Sequence, residues 1–164
     1  MQTWTIEAPV WARFAARNFG FNIVRGRIAV TAGTIEIDPD GRPVRLSGTL
    51  DPASIDTGNR RRDRDLRGPR FLDVAHHPHM EITAERIEPT ATGWRAAARF
   101  RVAGRNTPLW IDGSIDGGLS AAGTARLDLR DAGIRVPRIL VGRHVDLSVS
   151  ARLVQRPTDA DGRR

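Results

Sequence analysis

The sequence predicts an all-β fold, a small antiparallel barrel, on three observations. Apolar and polar residues alternate strictly along most of the chain, turn-forming clusters separate the alternating runs, and the runs are too many for one open sheet with a wet face. Closing the sheet on itself removes its exposed edges, so an extended eight-stranded barrel is favoured over a sandwich.

The alternation is clearest in four runs. Val44, Leu46, Gly48 and Leu50 face one way while Arg45, Ser47, Thr49 and Asp51 face the other. Trp94, Ala96, Ala98, Phe100 and Val102 oppose Arg95, Ala97, Arg99 and Arg101. Ala125, Leu127 and Leu129 alternate with Arg126, Asp128 and Arg130, and Val145, Leu147, Val149, Ala151 and Leu153 with Asp146, Ser148, Ser150 and Arg152. Shorter stretches repeat the pattern at 4–7, 24–30, 34–37, 80–87 and 109–115, giving about eight or nine strands. Turn chemistry falls between them, at Asp38-Pro39-Asp40-Gly41, 89–93, Ala103-Gly104-Arg105 and Asp116-Gly117-Gly118.

Two regions break the pattern and account for one or two short helices. ARFAARNFG at 12–20 shifts phase and reads as a bent strand or a short helical turn. DTGNRRRDRDLRGPR at 56–70 reads as a short helix that Asn59 caps and Gly68-Pro69 stops. The barrel domain is expected over 1–155, followed by a polar, disordered tail at 156–164.

Composition narrows the function. Cysteine is absent, which excludes disulfides, thiolate nucleophiles and cysteine-ligated metal centres. The net charge of +7 comes entirely from arginine, since the chain has no lysine, and so diffuse a charge is weak evidence for a nucleic-acid footprint. No stretch approaches the roughly 20 apolar residues of a membrane helix. With Met1 as the native start a cytoplasmic location is expected; a removed export signal would instead place the protein in the periplasm or outside the cell. No nucleophile elbow, phosphate loop, dinucleotide fingerprint or paired-carboxylate motif occurs, so the expectation is not an enzyme, with no cofactor. His76-His77-Pro78-His79 invites a metal reading, but an extended chain sends His76 away from His77 and His79, and no metal is expected.

The inward residues bear on ligand binding. Small groups at Ala96, Ala98, Ala121, Gly123, Ala125 and Ala151 alternate with large ones, which either pack a dry core or wall a slot. If a slot exists, its lining is expected from Phe14, Phe19, Phe21, Phe71, Met80, Ile82, Trp94, Ala98, Phe100, Leu127 and Leu147. Hardly any of these positions carries a polar group, which suits hydrocarbon. One CH₂ buried contributes about 0.8 kcal/mol, so a five-carbon unit adds roughly 3 to 4 kcal/mol before entropic costs.

The segment from Ser54 reads SIDTGNRRRDRDLRGPRFLDVAHHP. Ser54, Ile55, Asp56, Thr57, Gly58, Asn59, Arg62, Asp63, Leu66, Phe71, Asp73, Val74 and Pro78 stand where the signature of the YceI-like family, the lipocalin-like polyisoprenoid-binding proteins, has the same residues. Trp4, the strand at 24–28, the segment 100–108 and LDLRDAGIRVP extend the resemblance over 3–154. The resemblance implies a lipocalin-like barrel with a hydrophobic tunnel that stores or carries an isoprenoid lipid, a quinone or a prenyl phosphate. Asp65 departs from the family's usual His, Leu72 from its second Phe and His77 from a frequent Tyr.

Asn59, Arg62 and Asp63 could then meet the ligand's polar head, Arg62 through bidentate contacts; equally, Arg62 and Asp63 could staple the helix to the barrel rim. Phe71 could plug one barrel end or stack on a ring. Expected partners are an isoprenoid or other long-chain lipid, with transient membrane-surface contact and a homodimer as further expectations. The rival is a basic barrel that binds nucleic acid or a protein partner around a filled core, a stress-induced scaffold among the forms it could take. Against nucleic acid, no Tyr is present and Phe and Trp read as mostly inward, so stacking platforms are not expected.

Overall fold

The computed structural model describes residues 1–18, 22–117, 120–130, 133 and 144–157. The strands are β1 (Gln2–Ile6), β2 (Val10–Asn18), β3 (Asn22–Ile37), β4 (Pro43–Asp56), β5 (Met80–Pro89), β6 (Trp94–Val102), β7 (Arg105–Asp116), β8 (Ser120–Asp128) and β9 (His144–Gln155). Among the described residues there is one helix, α1 (Arg60–Arg67).

From β2 to β9 each strand pairs antiparallel with the next, and β9 returns to pair with β2, so eight strands close a barrel. β1 adds no ninth place to the ring. It runs in the same direction as β2 and meets the same two neighbours further along, β3 through Thr5↔Thr34 and β9 through Ile6↔Leu153. β1 and β2 are therefore one barrel strand interrupted between Ile6 and Val10, and Glu7 keeps the seam closed by donating its N–H to the Arg152 carbonyl at 2.9 Å.

The alternation places side chains as the pleat requires. Along β6, Trp94, Ala96, Ala98, Phe100 and Val102 are buried, while Arg95, Arg99 and Arg101 are exposed. They join Ile28, Val30, Leu50, Met80, Leu109 and Leu127 in a continuous inward cluster.

Several expectations need correction. The runs at 24–30 and 34–37 are a single 16-residue strand, β3, whose pairing with β4 shifts register at three points. Such irregularities bend a strand around a barrel without ending it. Residues 12–18 are strand throughout, so no helical turn forms there, and Phe19 and Gly20 lie outside the described residues. Trp11 and Trp110 point outward, at 42% and 55% exposure, because inward Ala12 and Leu109 beside them fix the phase. One face of each indole is covered by a guanidinium, Arg27 at 4.1 Å from the Trp11 ring centroid and Arg95 at 4.8 Å from that of Trp110. Of the expected tail, Arg156 still donates its N–H to the Thr3 carbonyl, and 158–164 lie outside the described residues.

The turns at 38–41, 89–93 and 103–105 are where the sequence puts them, and Gly118 of the expected fourth turn lies outside the described residues. Asp38 Oδ1 accepts from the N–H groups of Asp40 and Arg42, both at 2.9 Å. Ala103 and Gly104 have φ of 49° and 74°, the two left-handed residues of a tight hairpin between Val102 and Arg105. At Gly104 a side chain is doubly excluded, since a Cβ would run into the His77 imidazole. Gly104→Ala is therefore expected to destabilise the barrel by about 1–2 kcal/mol from the backbone alone, with a further loss from the ring contact. Urea unfolding checks this, and adding His77→Ala should recover the second part only.

Candidate functional site

Ser54 to Asp73 form one continuous device at the end of the barrel where β4 finishes. β4 carries extra residues opposite β3, so that Ala29 pairs with Asp51 but Arg27 with Asp56. The Ser54 hydroxyl fills the gap in the ladder: it accepts from the Ala29 N–H at 2.8 Å and donates to the Asp51 carbonyl at 2.6 Å. Gly58, at φ 78°, turns the chain out of the strand and donates its N–H to Asp56 Oδ1 at 2.9 Å. That bond, and the Arg27 guanidinium at 3.4 Å, hold the Asp56 carboxyl below the usual carboxylate range.

Helix α1 begins as expected, with the Asn59 side chain accepting from the Arg62 N–H at 3.0 Å. Asp63 and Arg62 then close on Thr57. The Asp63 carboxylate accepts the Thr57 N–H at 3.0 and 3.2 Å and its hydroxyl at 2.5 Å. Arg62 donates Nε–H to Thr57 Oγ1 at 2.8 Å and Nη2–H to the Thr57 carbonyl at 2.9 Å. Arg67, which the sequence did not single out, ties the helix to β4 through the carbonyls of Ala53 and Ile55, both at 2.9 Å. Beyond the helix, Leu72 returns its N–H to the Leu66 carbonyl at 3.0 Å, and Leu66, Leu72 and Val74 pack on the inward cluster.

Inside the barrel lies a cavity of about 1220 Å³ that reaches this helix. It exceeds the roughly 300–1,000 Å³ of ordinary small-molecule pockets. The inward residues do not fill the barrel. Trp94 lies across Gly113, where any side chain would overlap its indole, and the next places in that row are Gly123 and Val149. Ala12, Ala16, Ala121, Ala125 and Ala151 keep other parts of the wall thin.

Of the expected lining, Phe14, Phe71, Met80, Ile82, Trp94, Phe100, Leu127 and Leu147 border the cavity. Phe19 and Phe21 lie outside the described residues. Ala98 faces inward and is buried but does not reach the cavity; its one methyl stops short, and its register partner Leu109 stands in the lining instead. Of the expected polar contacts, Asn59 and Arg62 reach the cavity. Asp63 does not, being buried and spent on Thr57, so it clamps the helix and is not available to a head group. From the sequence, Arg61, Arg64 and Arg70 read as part of an arginine cluster partly paired with Asp63 and Asp65, not as site residues, yet they border the cavity at the helix end; their signal was the helical spacing of 61 and 64 on a face away from Arg62 and Asp63. Trp94 Nε1 is buried without a hydrogen-bond partner among the described residues.

The histidines have separate employment. His76 Nδ1 pairs with Asp73 at 2.9 Å and His77 packs under Gly104, and among the described residues no three metal-ligating side chains converge.

The family model for the YceI-like domain matches residues 4–153 of this chain. The chain belongs to the YceI-like family. Among curated relatives it is 22% identical to the protein YceI of Escherichia coli over 158 residues, covering 89% of this chain and 82% of that protein. It is 23% identical to a UPF0312 protein of Pectobacterium atrosepticum over 126 residues, 70% of this chain and 66% of the relative. A UPF0312 protein of Yersinia pestis is matched over only 55% of its own length. Solved YceI-like barrels share the fold. The Campylobacter jejuni YceI protein superposes with a TM-score of 0.68 at 18% identity, over 87% of this chain and 90% of that one. A polyisoprenoid-binding domain of Saccharophagus degradans superposes with a TM-score of 0.61 at 11% identity, over 93% and 98%.

Two measurements check the device. Asp63→Ala strands the Thr57 donors at a partly buried site and is expected to cost about 2–3 kcal/mol by urea unfolding; an unchanged midpoint would deny the clamp. The hydrogen bond to Asp73 raises the pKa of His76 above its ordinary 6.5. The pair's contribution to stability is thus complete below the unfolded pKa and is lost as pH rises through the raised folded one. An NMR titration should find His76 titrating high and returning to the ordinary value in Asp73→Asn.

Proposed function

We propose that this protein binds a long-chain lipid of isoprenoid type, with the chain in the barrel interior and the head at the α1 end, and that it stores or carries this cargo without transforming it. The observation that carries the reading is the apolar cavity of about 1220 Å³ inside a closed wall. Water held against such a wall is released when hydrocarbon replaces it, at about 0.8 kcal/mol per CH₂. A filled core, the rival reading, would have consumed that space. The fold shared with the Saccharophagus degradans polyisoprenoid-binding domain supports the choice of ligand class.

The proposal extends to a binding protein that needs no cofactor for its task and meets membranes only to exchange cargo. A cytoplasmic location is part of the proposal, and pairing of two barrels is compatible with the reading but not required by it.

Gly123 offers a direct test. A Cβ there would make ordinary contacts, none closer than 3.5 Å, and the position lines the cavity. Gly123→Phe is expected to fold and to lower uptake of geranylgeraniol by about tenfold or more, as displaced methylene contacts imply. Native mass spectrometry of the gently purified protein should find a lipid-sized adduct that organic solvent removes. A bare mass with no uptake of added prenyl lipid overturns the proposal.

A further inference from the structure

The cluster of arginines at α1 divides into two sets with different tasks. Arg62 and Arg67 are tied down by hydrogen bonds to Thr57, Ala53 and Ile55. Arg61, Arg64 and Arg70 border the cavity and are exposed, and their side chains have no hydrogen bond or ion pair with any described residue. The only carboxylate that borders the cavity beside them is Asp65, since Asp63 is turned inward onto Thr57. Apart from the tied-down Arg62, the rest of the interior wall is predominantly apolar, with no further charged side chain among its described lining residues.

This arrangement goes beyond a greasy tunnel. A neutral amphiphile needs the apolar wall and a polar opening, but it has no use for three guanidinium groups that border the same cavity without a described partner. Their mutual repulsion is unfavourable until an anion joins them, and a phosphate or carboxylate can accept from two or three at once. One molecule with an apolar chain and an anionic group meets both features, because the charged set and the hydrocarbon wall border the same cavity.

Resting on the lipid reading above, we infer that the head group is anionic: the cavity selects a single-chain amphiphile ending in phosphate or carboxylate over the neutral alcohol or quinone of the same tail, and Arg61, Arg64 and Arg70 supply that selection. Arg62 contributes less, its Nε and Nη2 being already engaged.

The test compares geranylgeranyl phosphate with geranylgeraniol, identical in tail, on the full chain stripped of lipid, by equilibrium dialysis at low and high salt. Wild type should prefer the phosphate by about tenfold or more at low salt, and the preference should shrink as salt screens the exposed charges. The triple variant Arg61→Ser, Arg64→Ser, Arg70→Ser should bring the ratio of affinities near unity, with a urea curve showing that it folds. Arg60→Ser removes a charge from the same helix at a position that does not border the cavity, and should leave the ratio as in wild type. Equal affinities in wild type, or a preference that survives in the triple variant, overturn the inference while leaving the lipid reading intact. Uptake of neither compound overturns both. Inorganic phosphate serves as the third ligand: if it binds stripped protein through the same arginines while the two lipids bind alike, the site is for a free anion and the inference fails.

Discussion

Eight strands must enclose a space whose width is set by strand number, and the residues that face it must either fill that space or leave it to something else. Here the inward positions of β8 are Ala121, Gly123, Ala125 and Leu127, and they stand beside Gly113, Ile111 and Ala151 on their neighbours. The large inward side chains Trp94, Phe100 and Met80 border this space without filling it. The cavity is therefore a property of the backbone closure and of a few missing side-chain atoms, and most other features of the molecule serve to frame it.

The frame is tightest where β4 gives way to α1. Thr57 is the hub: its N–H, hydroxyl and carbonyl are all engaged by Asp63 and Arg62 within a single helical turn. A helix of eight residues has little stability of its own. It stands because these bonds, with those of Arg67 to β4, replace the long amphipathic face that larger helices bury. Ser54 repairs the ladder just before it, so the irregular pairing of β3 and β4 and the placement of the helix are parts of one local solution.

Much of this was legible in the residues. Alternation gave the inward face, Asn59 the start of α1 and Gly68 its stop, and the Asp38 and Gly104 turns followed from backbone preference. What could not be read were relations among distant segments. Nothing in QTWTI and VWARFAARN says that two strands share one place in a ring; that depends on which parts of β3 and β9 each meets. Ala98 was on the correct face, but whether a methyl reaches a cavity depends on neighbours across the sheet. The outward setting of Trp11 and Trp110 was available from phase alone, and an expectation that tryptophan belongs inside obscured it. Arg62 and Asp63 admitted two roles from the sequence; both bond Thr57, and Arg62 also borders the cavity while Asp63 does not.

The periodicity of α1 also separates two kinds of position. Arg62, Asp63 and Arg67 bind the helix down, and Leu66 packs beneath it; Arg60, Arg61, Arg64 and Asp65 are exposed. No side chain of the second set takes part in the hydrogen bonds of the first. Under the proposed function, the residues that fasten the rim and those that would meet a head group are separate sets on one short helix.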